Sequence, residues 1–514
     1  MTKKIIVCLF FLLPLLSLAQ KKDKNVSKAA TSITVEDMKK HLYIIAGKEM
    51  EGRDTPSPGL EKAADYIEQH FKSLGLKPGN NGSYRQTYPL YKDSMLGSSM
   101  NINGSMFELN KDFQPQANNY SAEMRFSEIV FAGYGISDAD KRDDYKNLKI
   151  AGKLVLIADG APVDYKPTQT GFGSPASVFG KMNAAVSKGA AAVLIIYSNF
   201  PRRPISLSSN WSLSSYKSSQ PPFTFTVSAG VAEKIMGEDG KNVLDKLKAG
   251  TLVPKTYAAE IDLSYSKTTK TNTASNVLGV LEGADLKNEY VFITSHYDHI
   301  GKRDTVIYYG ADDDGSGTTG VLEMAEAFVK AKEAGNGPRR TMVFMTVSGE
   351  EKGLWGSGYY ANHPIFPLDK TTVDLNIDMI GRSDSSRKKG DSTNYVYVVG
   401  DDKISTDLKV ISETANKTYG NLELDYKFND PNDRNRIYFR SDHYNFAQKG
   451  VPIIFYYDGM LGADYHRPTD TPDKINYPLM VKRTQLIFYT AWEMANRNDM
   501  LKRDIKLEIP NRGF

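Results

Sequence analysis

Val291-Phe292-Ile293-Thr294-Ser295-His296 decides the fold. Five uncharged residues, rich in β-branched and aromatic side chains, read as a strand buried on both faces. The run ends on an imidazole. The same design recurs along the chain. Thr341 to Val347 is a second buried run, followed by Ser348-Gly349-Glu350-Glu351. Val373-Asp374-Leu375-Asn376-Ile377 is a third and ends at Asp378, while Val451 to Tyr456 precedes the loop that carries His466. An amphipathic helix over Thr318 to Ala334, stopped by Gly335, lies among them. This alternation predicts an α/β fold, with a mostly parallel mixed sheet covered by helices on both faces. In open sheets of this kind ligands bind at the carboxyl ends of the strands. His296, the Glu350-Glu351 pair and Asp378 all stand at such ends.

These residue types suit metal-assisted hydrolysis. Zinc takes imidazole nitrogen and carboxylate oxygen, and a catalytic site keeps one position open for water. Two zinc ions about 3.5–4 Å apart need a carboxylate between them. The run Asp312-Asp313-Asp314 can supply one, and Gly310, Gly315 and Gly317 let the backbone turn there. In strand geometry positions i and i+2 share a face, so Asp298 can orient the His296 ring. The same alternation puts His299 on the opposite face, where a structural role is expected. Of Glu350 and Glu351, one can ligate metal while the other takes a proton from the bound water. Alone, Asp378 reads equally as a turn residue and His466 as a loop histidine. Five such pieces in order around the strand ends of one sheet read as a site.

The order His-x-Asp, Gly-Ala-Asp-Asp-Asp-Gly-Ser-Gly, Glu-Glu-x-Gly-Leu-x-Gly-Ser, Asp-Met and a late His resembles the co-catalytic zinc aminopeptidases. That family includes secreted bacterial leucyl aminopeptidases and, more distantly, glutamate carboxypeptidase II. The resemblance spans Ser275 to Asp473, and Glu51-Gly52-Arg53 with Ala63-Ala64-Asp65-Tyr66-Ile67 fits as a lead-in. It implies two zinc ions per chain, with His296 and Asp378 on one, Glu351 and His466 on the other, and Asp313 bridging. It also implies that Glu350 is the general base, that Asp298 orients His296, and that the N-terminal peptide bond of a peptide is the substrate. Tyr438, three residues before Ser441-Asp442-His443, falls where some relatives place a tyrosine that stabilises the oxyanion. Tyr444 and Tyr465 are also near in sequence. The segment from about Asn118 to Asp262 resembles a protease-associated domain. That likeness rests on Phe131-Ala132-Gly133-Tyr134-Gly135, Gly152-Lys153-Leu154-Val155 and Lys188-Gly189-Ala190-Ala191-Ala192.

Rival readings remain within the same fold. A glutaminyl-peptide cyclase would bind one zinc. A carboxypeptidase or dipeptidase would use Arg434, Arg436 or Arg440 to meet a free carboxylate. A non-catalytic receptor-like protein would be expected to have lost ligands.

At 514 residues the chain exceeds one compact core. A formal charge of +4 gives no basis for nucleic-acid binding. Lys3 and Lys4 precede the apolar run Ile5 to Leu16, and Ser17-Leu18-Ala19 offers small residues for cleavage, the pattern of a signal peptide over 1–19. The run is shorter than the roughly 18–20 residues a spanning helix needs. Cleavage would remove Lys3, Lys4 and Cys8, leaving a nearly neutral chain with no cysteine, no stable membrane anchor, and the periplasm or medium as destination. Residues 20–31 are expected to be a flexible lead-in. Residues 32–117 and 263–514 would form the catalytic domain around an inserted β-rich domain, 118–262.

Overall fold

The computed structural model describes residues 22–508, apart from 117–118, 140, 215–221 and 463. The expected signal peptide lies outside these residues. No described helix is long and apolar enough to cross a membrane.

The chain divides into two compact units, one of Met1–Tyr88 with Thr273–Phe514, the other of Pro89–Asn272. The inserted unit is therefore wider than 118–262. The reason is that the chain crosses both boundaries inside long strands, Arg85–Ile102 and Lys255–Leu281, where composition does not change.

In the first unit the sheet runs in the order Glu423–Asp425, Tyr395–Val399, Ile453–Tyr457, Thr371–Ile377, Leu286–His296, Arg340–Val347, then the end of Lys255–Leu281. The four strands from Ile453–Tyr457 to Arg340–Val347 are mutually parallel. Val277 to Leu281 pairs antiparallel at one side, and Tyr395–Val399 does so at the other. The alternation within each strand serves two helical layers. Phe292 packs on Tyr360 of helix Trp355–Asn362 and on Phe446 of helix His443–Gln448. Phe344 packs on Phe328 of helix Gly317–Glu333, which in turn meets Phe488 and Trp492 of helix Tyr477–Asn496. Because the central strands are parallel, their carboxyl ends collect at one edge, and His296 and Asp378 arrive there together.

The helices that follow are capped by side chains. Thr34 accepts from the Asp37 amide at the start of Val35–Ile45, and Ser57 caps Pro58–Ser73, whose Ala63, Ala64, Ile67 and Phe71 are buried. The lead-in departs from expectation. Lys24–Ala30 is a helix capped by Asp23, with Val26, Ala29 and Ala30 buried. Those three positions share one helical face, which an excess of lysine obscured in the sequence.

Within the inserted unit Ala122–Phe131, Leu154–Ala158, Ala192–Ile196 and Phe223–Val227 are mutually parallel. The antiparallel partners at its edges are Lys255 to Tyr265 and Phe113–Pro115. Its core is built from Ile129, Phe131, Leu156, Leu194, Phe225 and Val231, all buried.

Candidate metal centre

The turn Ala311–Ser316 presents three aspartates in different directions. Asp312 Oδ1 accepts from the Gly381 amide at 2.8 Å and from Ser316 Oγ at 3.2 Å. Asp314 Oδ1 accepts from the Gly317 and Met379 amides at 2.8 and 3.0 Å. Both carboxylates are thus occupied in holding backbone. Asp313 alone faces imidazoles. Its Oδ1 is 3.4 Å from His296 Nε2, and its Oδ2 is 3.1 Å from His466 Nε2. Gly310 and Gly317 make the turn possible. A Cβ on Gly310 would lie 2.5 Å from the His299 ring, and one on Gly317 would lie 2.4 Å from the Asp314 carboxylate.

Two groups of donors share Asp313. One is His296, Asp313 and Asp378, the other His299, Asp313 and Glu351, with the donor atoms of each group within 4.8 Å of one another. In the first, His296 Nε2 stands 3.6 Å from Asp378 Oδ1. In the second, His466 Nε2 is 3.1 Å from Glu351 Oε2, and His299 Nδ1 is 2.8 Å from Glu351 Oε1. Glu350 Oε2 lies 4.0 Å from His296 Nε2, beside the first group. Asp298 supports the arrangement from behind, since Oδ1 accepts from the Glu350 amide and Oδ2 from Thr55 Oγ1, both at 3.1 Å. The nearer partner of His296 Nδ1 is the Asp298 main-chain oxygen at 3.1 Å, with the carboxylate at 3.7 Å.

Electrostatics sorts the carboxyls. Burial alone would raise Asp313, but His296 and His466 hold it well below the usual carboxylate range. Burial, with Asp378 nearby, pushes Asp314 far above that range. Glu350 is likewise pushed well up, by burial and by Glu351 and Asp378, against the opposing pull of His296.

The donors fit a pair of cations. His296 Nε2, both ring nitrogens of His299, Asp313 Oδ2, Glu351 Oε1 and His466 Nε2 are buried without a hydrogen-bond partner. Each such atom costs about 1–3 kcal/mol if left unsatisfied. Imidazoles and carboxylates in this mixture suit zinc.

All five expected metal-binding residues, together with Glu350 and Asp298, come together. Tyr438 does not line this cleft. It borders a separate cavity with Asp402, Phe428, Asn429 and Leu507, and its ring packs on Phe439, His443 and Tyr444. The tyrosines beside Asp313, Glu350 and Asp378 are Tyr457 and Tyr465. The placement of His299 is also a correction. The chain leaves the strand at His296, so strand alternation no longer governs residue 299.

Arg53 is a further contributor that pattern reading missed. It is fully buried, and its guanidinium donates to the carbonyls of Ile45, Tyr297, Tyr309 and Gly310. It pins the segment that follows His296 to the one that enters the aspartate turn. Asp470 does similar work, accepting from the amides of Asp312 and Asp313.

Residues 276–491 match the model of peptidase family M28. The match covers less than half of the chain and is a likeness of that segment. A probable leucine aminopeptidase of Arthroderma otae is 30% identical over 214 residues, covering 40% of this chain and 55% of that protein. Aminopeptidase YwaD of Bacillus subtilis is 24% identical over 407 residues, covering 77% of this chain and 74% of that protein. The chain spans about half the length of the first curated relatives it matches, 55% and 54%. Among solved structures, the aminopeptidase from Aneurinibacillus sp. strain AM-1 aligns with a TM-score of 0.51 at 20% identity, over 95% of this chain and 100% of that one. That likeness is one of fold. The matched segment contains His296, Asp313, Glu350, Glu351, Asp378 and His466.

Proposed function

We propose that this protein is an exported zinc aminopeptidase that removes N-terminal residues from peptides. The observation that carries the reading is Asp313, a buried carboxylate shared by two groups of metal donors, with Glu350 beside them in the same cleft. His296 and Asp378 would hold one ion, Glu351 and His466 the other, and Asp313 would bridge. Bound zinc lowers the pKa of a water towards 7 and polarises a carbonyl.

The chain's own residues supply the remaining chemistry. Glu350, half-buried and held by the hydrogen bond from its amide to Asp298, accepts the proton of the attacking water and delivers it to the leaving amine. Met379, Ile437, Phe455 and Leu461 line the same cleft and favour an apolar first side chain. Tyr465, stacked on His466 with ring centroids 3.9 Å apart, supplies a hydroxyl on the substrate side. Lys3, Lys4 and the apolar run after them support export to the periplasm or medium. The inserted unit is read as a protease-associated-like domain.

A second reading has one observation in its favour. Arg440 also lines the cleft and donates to Tyr465 Oη at 3.1 Å, so a substrate carboxylate would find a partner there. Metal content, measured with hydrolysis of aminoacyl-anilides and of N-blocked peptides, separates the two. Close to two zinc ions and chelator-sensitive release of free N-terminal residues support the aminopeptidase. Activity on N-blocked peptides with a free carboxylate would overturn it, and a single zinc with cyclisation of N-terminal glutamine would point to a cyclase.

A further inference from the structure

Away from the M28 centre, three helices of the same unit converge on a second set of metal-binding side chains. Val35–Ile45 brings His41, Pro58–Ser73 brings His70, and Gly317–Glu333 brings Glu323 and Glu326. His41, His70 and Glu326 offer donor atoms within 4.8 Å of one another. The two imidazoles meet nearly edge to face, with centroids 4.6 Å apart. His41 Nε2 is 3.5 Å from Glu323 Oε1.

Each imidazole has one nitrogen beside an oxygen of the protein, and the other turned towards the cluster. His41 Nδ1 lies 2.8 Å from Tyr66 Oη, and His70 Nε2 lies 3.4 Å from the Leu322 carbonyl. A ring that donates N–H to such an oxygen presents the lone pair of its other nitrogen, the arrangement that orients histidine towards a metal. Glu323 is 2% exposed, and its Oε1 has no hydrogen-bond partner. A metal ion beside it would give that oxygen a partner. An open cleft bordered by Asp37, Lys40, Tyr66 and Gln69 reaches His41, His70 and Glu326, giving an ion a way in.

We propose that His41, His70, Glu323 and Glu326 form a divalent-metal site separate from the M28 centre. Two imidazoles with two carboxylates suit zinc or a neighbouring first-row ion rather than calcium or magnesium, which prefer oxygen alone. Glu323 and Glu326 are spaced i and i+3 and so share a helix face, while the histidines come from two other helices. An ion there would cross-link the two N-terminal helices to the helix that starts directly after the Asp313 turn.

The test is a comparison of metal counts. Wild-type protein, His70→Ala and Glu326→Gln are equilibrated with free zinc held at micromolar level by a chelating buffer, and bound zinc is measured by mass spectrometry of the metal. Both substituted side chains are partly exposed, and circular dichroism confirms the fold. The expected result is one zinc fewer per chain in each variant than in wild type, with aminopeptidase activity retained. Zinc should also raise the wild-type melting temperature more than that of His70→Ala. Because the count is read as a difference, it holds whatever number the M28 centre takes. Equal zinc content in all three proteins would overturn the proposal. So would an unchanged thermal response in His70→Ala.

Discussion

His299 Nδ1 stands 2.8 Å from Glu351 Oε1, while His466 Nε2 stands 3.1 Å from the other oxygen of the same carboxylate. Glu351 is therefore held between two imidazoles. His299 Nδ1 stands beside one oxygen and leaves Oε2 for a metal, and a supporting group in such a place commonly changes metal affinity about 10–100-fold. His299→Ala should weaken binding of one of the two M28 ions by that order and leave the other in place, read by competition with a graded chelator. Unchanged affinity for both ions would reduce His299 to packing against Gly310.

Asp313→Ala should release metal from both donor groups, because each depends on it. Asp312→Asn should behave differently. Its carboxylate accepts from the Gly381 amide and Ser316 Oγ rather than facing an imidazole, so metal content should persist. Stability should fall by about 1–3 kcal/mol, the cost of disturbing a buried hydrogen bond. Metal analysis with thermal melts checks both. Full metal content in Asp313→Ala would move the bridge to another residue.

These assignments show where the sequence was readable. The strand ends were legible because buried β runs are long and apolar, so a ligand type at the end of each stood out. The choice of Asp313 within the aspartate run could not be made from spacing. It depends on the Gly381 and Met379 amides, far along the chain, occupying Asp312 and Asp314. His299 was misplaced because strand alternation was carried past the residue where the strand stops. The unit boundaries were hidden because Arg85–Ile102 and Lys255–Leu281 pass through them as unbroken strands. Arg53 was invisible as a contributor because all four of its partners are main-chain carbonyls, which no side-chain pattern records.

Glu350→Gln keeps the size of the side chain and removes its ability to take a proton. Both M28 ions should remain, since neither group of donors sharing Asp313 includes Glu350. Turnover should drop by roughly 10²–10⁴-fold, the usual contribution of a positioned general base. Steady-state rates on a leucyl-anilide, alongside zinc analysis, give the answer. Near-normal turnover would remove Glu350 from the proton path.

Tyr465→Phe and Tyr438→Phe separate the two candidates for the oxyanion. Tyr465 lines the cleft beside Asp313 and Glu350, whereas Tyr438 borders another cavity. Loss of an oxyanion donor commonly lowers kcat by about 10²–10³-fold, and that loss is expected for Tyr465→Phe with KM little changed. Tyr438→Phe should stay close to wild type. The reverse pattern would restore Tyr438 to the role that its sequence position suggested.

Arg53→Met tests whether the turn is held from behind. The buried guanidinium donates to four carbonyls from three stretches of chain, with distances of 2.7–2.8 Å. Replacement by an apolar side chain of similar length leaves those carbonyls buried and unpaired. Each lost charge-assisted bond is worth about 1.5–3 kcal/mol before relaxation, and the set is not additive. A fall in melting temperature of several degrees is expected, together with weaker metal retention, because Gly310 and Tyr297 flank the Asp313 turn and His296. A destabilised protein that still holds both ions as tightly as wild type would show that Arg53 supports the fold without shaping the site.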